Sequence, residues 1–207
     1  MIRSVFRARR TLRAHEAGSA PAASATPAFL TNALRVRVNF EGGVYTREVA
    51  PDPGKPFPSI ALRDEEGQPA RIPGGETLYA FFKTTCPTCE LAWPYLDRIG
   101  KIADGGSLSL LAVSQDDPMA TRRFYEDLGV ALPTLYDAEP WAASEAVGLT
   151  IVPAFFLVGR DGNLRDAVIG FQRHKMEEFA ALAADRAGGK RTALFLPGEK
   201  VPAIRPG

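Results

Sequence analysis

Two kinds of hydrophobic spacing alternate along this chain. Over 34–49, Val36 and Val38 alternate with Arg35, Arg37 and Asn39, and Glu41-Gly42-Gly43 separates that run from 44–49. A period of two broken by a glycine turn predicts a hairpin with one wet face. A loop through Pro51, Pro53, Gly54 and Pro56 follows, and segments 59–62, 64–67 and 70–72 predict a second small hairpin or paired extended stretch. Continuous apolar runs at 78–82 and 108–113 have the character of strands covered on both faces. Between them Cys89, Ala92, Trp93, Leu96, Ile99 and Ile102 recur at three and four residues, which predicts a helix. Pro94 inside that stripe predicts a kink rather than a break, and Gly105-Gly106 an end.

Asp117-Pro118 opens another helical pattern that runs to about Leu128, with Phe124 and Leu128 on one face. Beyond it the pattern predicts a short extended piece over 132–136, a short helix over 139–147 and a buried strand over 154–158. Arg160-Asp161-Gly162-Asn163 is a hairpin turn signal leading into 164–169. A last helix over 174–185 turns Met176, Phe179 and Leu182 inward. Strand, helix, strand, helix, then an antiparallel hairpin and a helix describe an α/β sandwich around a mixed sheet.

Composition narrows the class. The 207 residues carry a formal net charge of +1, so no strong field recruits nucleic acid or an acidic membrane. An apolar share of 45% suits a globular chain, and no window approaches the roughly 18 uninterrupted apolar residues of a membrane-spanning helix. Residues 1–28 differ from the rest. Arg3, Arg7, Arg9, Arg10 and Arg13 face one acid, Glu16, and a nearly pure Ala/Ser/Pro/Thr stretch follows. Such a segment cannot bury enough apolar surface to offset its ordering entropy and is expected to be disordered. It has the charged start of a secretory signal without the apolar region, and also resembles an organellar transit peptide. The expected location is therefore cytoplasmic, or periplasmic or organellar if the start is misassigned or acts as a targeting segment. Residues 187–207 are rich in Gly and Pro, with Leu194-Phe195-Leu196 as an apolar plug. A tail draped over the surface is expected there, rather than a functional arm.

The chemistry lies in two cysteines. Cys86-Pro87-Thr88-Cys89 follows a buried strand and opens a helix. A helix N-terminus offers unpaired N–H groups and partial positive charge, which favour a thiolate at Cys86. The thiolate is the form that attacks a disulfide, and Cys89, one turn deeper, is placed to resolve the mixed disulfide. Pro87 fits the first turn, where a missing N–H is harmless. Lys83 and Thr85 are candidate tuning residues. A lone C-x-x-C also suits half of a metal site or two inert buried thiols. Zinc would need two more ligands, and His15 and His174 are poorly placed to supply them, so neither metal nor cofactor is expected.

With C-P-T-C at its centre and Pro94 five residues past Cys89, segment 79–94 resembles the thioredoxin superfamily, nearest the TlpA-type thiol:disulfide reductases and the peroxiredoxin-like redoxin group. The resemblance spans 49–182. Segment 56–62 (P-F-P-S-I-A-L) followed by 64–67 is similar to that group's entry segment, and 111–116 (L-A-V-S-Q-D) to its second strand. Segment 151–158 (I-V-P-A-F-F-L-V) with Asp161-Gly162 is similar to the cis-proline strand and its hairpin. The interval from Cys86 to Pro153 is longer than in a plain thioredoxin core, with room for the inserted strand and helix of this branch. The resemblance implies a thioredoxin-like domain over 29–186, with 34–49 as an N-terminal hairpin extension and 187–207 as a C-terminal tail. It implies a cis Val152-Pro153 peptide facing the cysteines, with Val152, Pro87 and Thr88 against the substrate.

The activity so implied is a thiol–disulfide oxidoreductase, a reductase of protein disulfides by preference. Its partners would be a protein or small-molecule disulfide and an upstream thiol/disulfide electron donor. Two rivals remain: a peroxiredoxin-like thiol peroxidase, and a thioredoxin-like binding module without turnover. Peroxidases of the superfamily place Thr three residues before the reactive cysteine. Here that position is Lys83 for Cys86 and Cys86 for Cys89. Thr85 stands where the family commonly has Trp, and 79–82 lacks the buried acid that thioredoxin uses as proton acceptor for its second cysteine. Lys83, Glu90, Thr88 or water are the remaining candidates for that proton. Asp116-Asp117 reads as a strand-end acid pair capping the helix at Pro118 rather than as a cation site. Trp93 is expected in the core, and Trp141 and Tyr95 are candidates for the groove around Cys86.

Overall fold

The computed structural model describes residues 35–40, 43–48 and 51–207; the extension 1–28 lies outside them. β1 (Arg35–Phe40) and β2 (Gly43–Glu48) pair antiparallel, Arg35 opposite Glu48 and Phe40 opposite Gly43, which is the hairpin expected from the period of two. In the body, β3 (Glu76–Phe82) leads into α1 (Pro87–Ala103), β4 (Leu108–Ser114), α2 (Pro118–Leu128), β5 (Thr134–Tyr136) and α3 (Ala142–Ala146). Then come β6 (Ala154–Val158), β7 (Leu164–Ile169), β8 (Phe171–Gln172), α4 (Arg173–Arg186) and β9 (Ile204–Arg205). The central sheet has the order β5-β4-β3-β6-β7. β3, β4 and β5 are parallel, and β6 and β7 run antiparallel to their neighbours.

Alternation along β3 builds the two halves of the core. Leu78, Ala80 and Phe82 enter one cluster with Ala92, Trp93, Leu96 and Ile99 of α1, Phe124 of α2 and Met176 and Phe179 of α4. Tyr79 and Phe81 enter the other, with Val113, Phe156, Leu62 and Ala143 and Val147 at α3. Because successive strand side chains point to opposite faces, a stretch covered on both sides is apolar at every position, as 78–82 is here after the buried polar pair Glu76 and Thr77. The residues of β3 are all buried, which is why its sequence shows no alternation. α1 continues through Pro94 to Ala103. α2 ends at Gly129, whose φ of +63 supplies the left-handed conformation that closes the helix.

The entry segment is paired twice. Asp64 N–H donates to Gln68 and Ala70 N–H to Leu62, closing the expected small turn. Arg63 also exchanges backbone hydrogen bonds with Tyr136 at 3.0 and 2.9 Å, lengthening the sheet beyond β5. Residues 187–207 run against the body. Leu194 and Phe195 are buried in the first cluster, Phe195 lying 4.7 Å from the Tyr95 ring. Burying such side chains stabilises a fold by roughly 1.5–3 kcal/mol each. Arg98 fixes the same stretch by donating to the Leu194 carbonyl and to Glu199. From there the chain returns to place β9 antiparallel to β8.

Candidate active site

The loop Lys83-Thr84-Thr85 carries the chain from the end of β3 to α1. Thr84 N–H donates to Asp116 Oδ2 at 2.6 Å, tying this loop to the end of β4. Cys86 N–H donates to the Lys83 carbonyl at 3.1 Å. Cys86 is the N-cap of α1, extended at φ −91° and ψ 114°, and Pro87 opens the first turn. Its sulfur therefore takes the place usually held by a Ser, Thr, Asp or Asn oxygen. Sγ accepts from Cys89 N–H at 3.4 Å, and in its thiol form donates to the Val152 carbonyl at 3.4 Å.

The two sulfurs, both free thiols, sit in opposite environments. Cys86 is half-buried and Cys89 fully buried. The Cys86 thiol is lowered from 9.0 to about 6, chiefly by the hydrogen bond from the Cys89 side chain. The Cys89 and Thr88 backbone amides and the charge of Arg205 assist, against partial burial. Burial pushes the Cys89 thiol far up; its hydrogen bond to Cys86 and the charge of Asp116 add to that, while a hydrogen bond from the Lys83 backbone works against it. Accessible thiolate and buried proton-bearing thiol thus occur one helical turn apart.

Cys86, Cys89, Val152 and Pro153 come together, and the Val152–Pro153 bond is cis. Pro87 and Thr85 are exposed on the rim. Thr88 is buried, its hydroxyl donating to the Pro206 carbonyl at 2.6 Å. Lys83 directs its ammonium onto the Trp141 ring, 4.8 Å from the centroid. Trp141 is partly exposed and donates from its indole to the Gln115 carbonyl, whereas Trp93 is buried against Phe82. Of the two strand-end acids, only Asp117 caps α2, accepting from Ala120 N–H at 2.9 Å. Asp116 turns to the cysteine loop instead. Arg205 and Asp116 are the charges that sequence reasoning missed at the dithiol. Asp116 had a signal in its place at a strand end beside the loop, and Arg205 had none beyond lying between Pro202 and Pro206.

Residues 52–184 match the family model described as Redoxin. The chain belongs to the redoxin family. It is 26% identical over 130 residues to the thiol-disulfide oxidoreductase ResA of Geobacillus thermodenitrificans, covering 61% of this chain and 74% of that protein. It is 30% identical over 153 residues to the methylamine utilization protein MauD of Paracoccus denitrificans, covering 70% and 72%. Among solved structures, a putative thiol:disulfide interchange protein DsbE from Chlorobium tepidum superposes with a TM-score of 0.56 at 21% identity. That match covers 64% of this chain and 97% of the other, and shows a shared thioredoxin-like fold. With its dithiol, this redoxin is a thiol–disulfide oxidoreductase. Among the described residues no helix is long and apolar enough to cross a membrane, and the cytoplasmic location expected from sequence finds no support in these relatives.

Proposed function

We propose that this redoxin reduces disulfides in protein substrates, with Cys86 as nucleophile and Cys89 as resolving thiol. The observation that carries the reading is the asymmetry at the tip of α1: a half-buried sulfur that accepts a helix-terminal N–H, one turn from a fully buried thiol. The Cys86 thiolate attacks one sulfur of the substrate disulfide and expels the other as a thiolate, which takes up a proton. Cys89 then loses its proton and attacks Cys86. The second substrate thiol leaves, and the Cys86–Cys89 disulfide holds the oxidation equivalent. Two electrons have passed from the dithiol to the substrate, and an upstream dithiol donor must return them.

One detail favours reduction. A Cys86 thiol at about 6 is nearer the roughly 7 of a reducing thioredoxin-type site than the roughly 3.5 of a strongly oxidising one. Burial first, then the hydrogen bond to Cys86 and the Cys86 charge, keep Cys89 a protonated thiol in the reduced site, and forming the mixed disulfide removes the last of these. Asp116 is the carboxylate whose charge reaches Cys89 and is assigned its proton, directly or through water. Of the acceptors expected from sequence, Lys83 is engaged by Trp141, Thr88 by Pro206, and Glu90 is exposed. Insulin reduction with a chemical reductant tests the assignment. The wild type should catalyse it and Cys86→Ser should not, while neither consumes hydrogen peroxide. Peroxide turnover without disulfide reduction would replace this reading with the peroxidase.

A further inference from the structure

Three walls surround Cys86, and the same few residues touch all of them. On the helix wall, Thr88 donates its hydroxyl to the Pro206 carbonyl at 2.6 Å. At the cis-proline loop, a Cβ built on Gly207 would overlap the Val152 carbonyl and the Ile151 side chain. At the corner between β7 and β8, a Cβ on Gly170 would lie 2.8 Å from the Arg205 carbonyl and 3.3 Å from Pro206 Cα. Backbone pairing completes the clasp. Arg205 stands opposite Phe171 and Ile204 opposite Gln172, and Arg173 N–H donates to the Ala203 carbonyl at 2.9 Å. The Val152 carbonyl that meets Gly207 is also the one 3.4 Å from Cys86 Sγ.

We propose that residues 204–207 occupy the groove through which an extended segment of a disulfide-bearing protein reaches Cys86, and that such a substrate enters by displacing them. This rests on Cys86 being the attacking sulfur. The occupant is held as a substrate strand would be held, by main-chain pairing along an edge and by a hydroxyl on a carbonyl, groups that any extended peptide supplies. It is also easily released. Residues 202–207 are all exposed, and Ile204 keeps 46% of its surface in solvent, so displacement uncovers little apolar area. The Val152 N–H has no acceptor among the described residues, which leaves a donor ready for an incoming carbonyl. A small disulfide needs only the half-buried sulfur and not the groove. Segment 204–207 is therefore a specificity element that acts on large substrates.

The full chain and a variant ending at Ala203 should be compared on insulin and on a small aromatic disulfide, dithiobis(nitrobenzoate). Truncation also removes the Arg205 charge that reaches Cys86, so the small disulfide, which needs no groove, serves as the reference for the change at the sulfur itself. Relative to that reference, truncation should raise kcat/KM for insulin by about fivefold or more, since the open groove becomes the dominant state. An unchanged or lower ratio of insulin to small-disulfide kcat/KM in a folded truncation would overturn the proposal. A second measurement keeps the chain whole. In Cys89→Ser, a cysteine-containing peptide trapped on Cys86 should speed exchange of the Arg205 amide by about tenfold, as its pairing with Phe171 is lost. Unchanged protection with the peptide in place would also overturn it. If no mixed disulfide forms on Cys86, the underlying reading fails first, and the proposal with it.

Discussion

α1 and α2 begin in the same way and end up with different work. Each follows a parallel strand of the central sheet, each has Pro in its first turn, and each has an extended N-cap whose side chain accepts an N–H three residues on. At α2 the cap is the Asp117 carboxylate, 2.9 Å from Ala120 N. At α1 it is the Cys86 sulfur, 3.4 Å from Cys89 N. The helix terminus supplies the same partial charge to both, worth about 0.3–1 kcal/mol at such positions. One cap holds a helix, and the other holds an anion ready to react. The difference lies in the third residue on, Ala120 against Cys89, and in the surroundings: Val152, Arg205 and Pro206 gather at α1.

The largest effect expected is at the reactive cap. Cys86→Ser should lower insulin reduction by about a thousandfold or more, since the attacking atom itself is removed. Retention of more than a tenth of the activity would transfer the nucleophile elsewhere. Next, iodoacetamide labelling of the reduced protein followed by peptide mapping should give a midpoint at about 6 for Cys86, with Cys89 remaining unlabelled in the native state. Equal labelling of both thiols would abolish the asymmetry. Asp116→Asn should slow decay of a mixed disulfide by about tenfold, a general-acid–base-sized effect, while leaving its formation nearly unchanged. Slowed formation instead would assign Asp116 to positioning the loop through Thr84.

Asp117→Ala should lower stability by about 1 kcal/mol in urea, the usual size of a lost N-cap, without moving the Cys86 labelling midpoint. A shift in that midpoint would mean that the two helix starts are coupled. The remaining effect is the pH dependence of stability. The Cys86 thiol is lower in the folded state than its ordinary 9.0, so its thiolate stabilises the reduced fold. That contribution is fully present above about 9 and is lost as pH falls through about 6. Urea midpoints of reduced wild type and Cys86→Ser should therefore diverge as pH rises from about 6 towards 9. Parallel midpoints would show that the thiolate is no better held folded than unfolded.

Most of the frame is legible in the amino-acid pattern. Burial on both faces makes β3, β4 and β6 continuous apolar runs, and one-sided burial gives α1 its stripe from Cys89 to Ile102. The dithiol shows for a similar reason: its chemistry needs two particular side chains at one spacing. What surrounds it is less visible. Two neighbouring aspartates at a strand end do not reveal which one caps the helix and which turns to Thr84. The contacts of 204–207 are made by backbone groups, two glycines and a carbonyl, which every chain carries, so no residue type marks them. Lys83 was a candidate for tuning because it lies beside Cys86 in sequence, yet its ammonium sits on Trp141, and the cation whose charge reaches Cys86 is Arg205.

Leu194 and Phe195, with the Arg98–Glu199 pair behind them, make segment 204–207 a tethered ligand. These anchors fix one end of a short leash, and a link of that length sustains an effective concentration in the millimolar range. A dissolved peptide copying 204–207 would have to reach similar concentrations to compete for the β8 edge. A protein whose disulfide lies in a loosely structured stretch can instead trade the leash for many contacts at once, and so gain entry at far lower abundance.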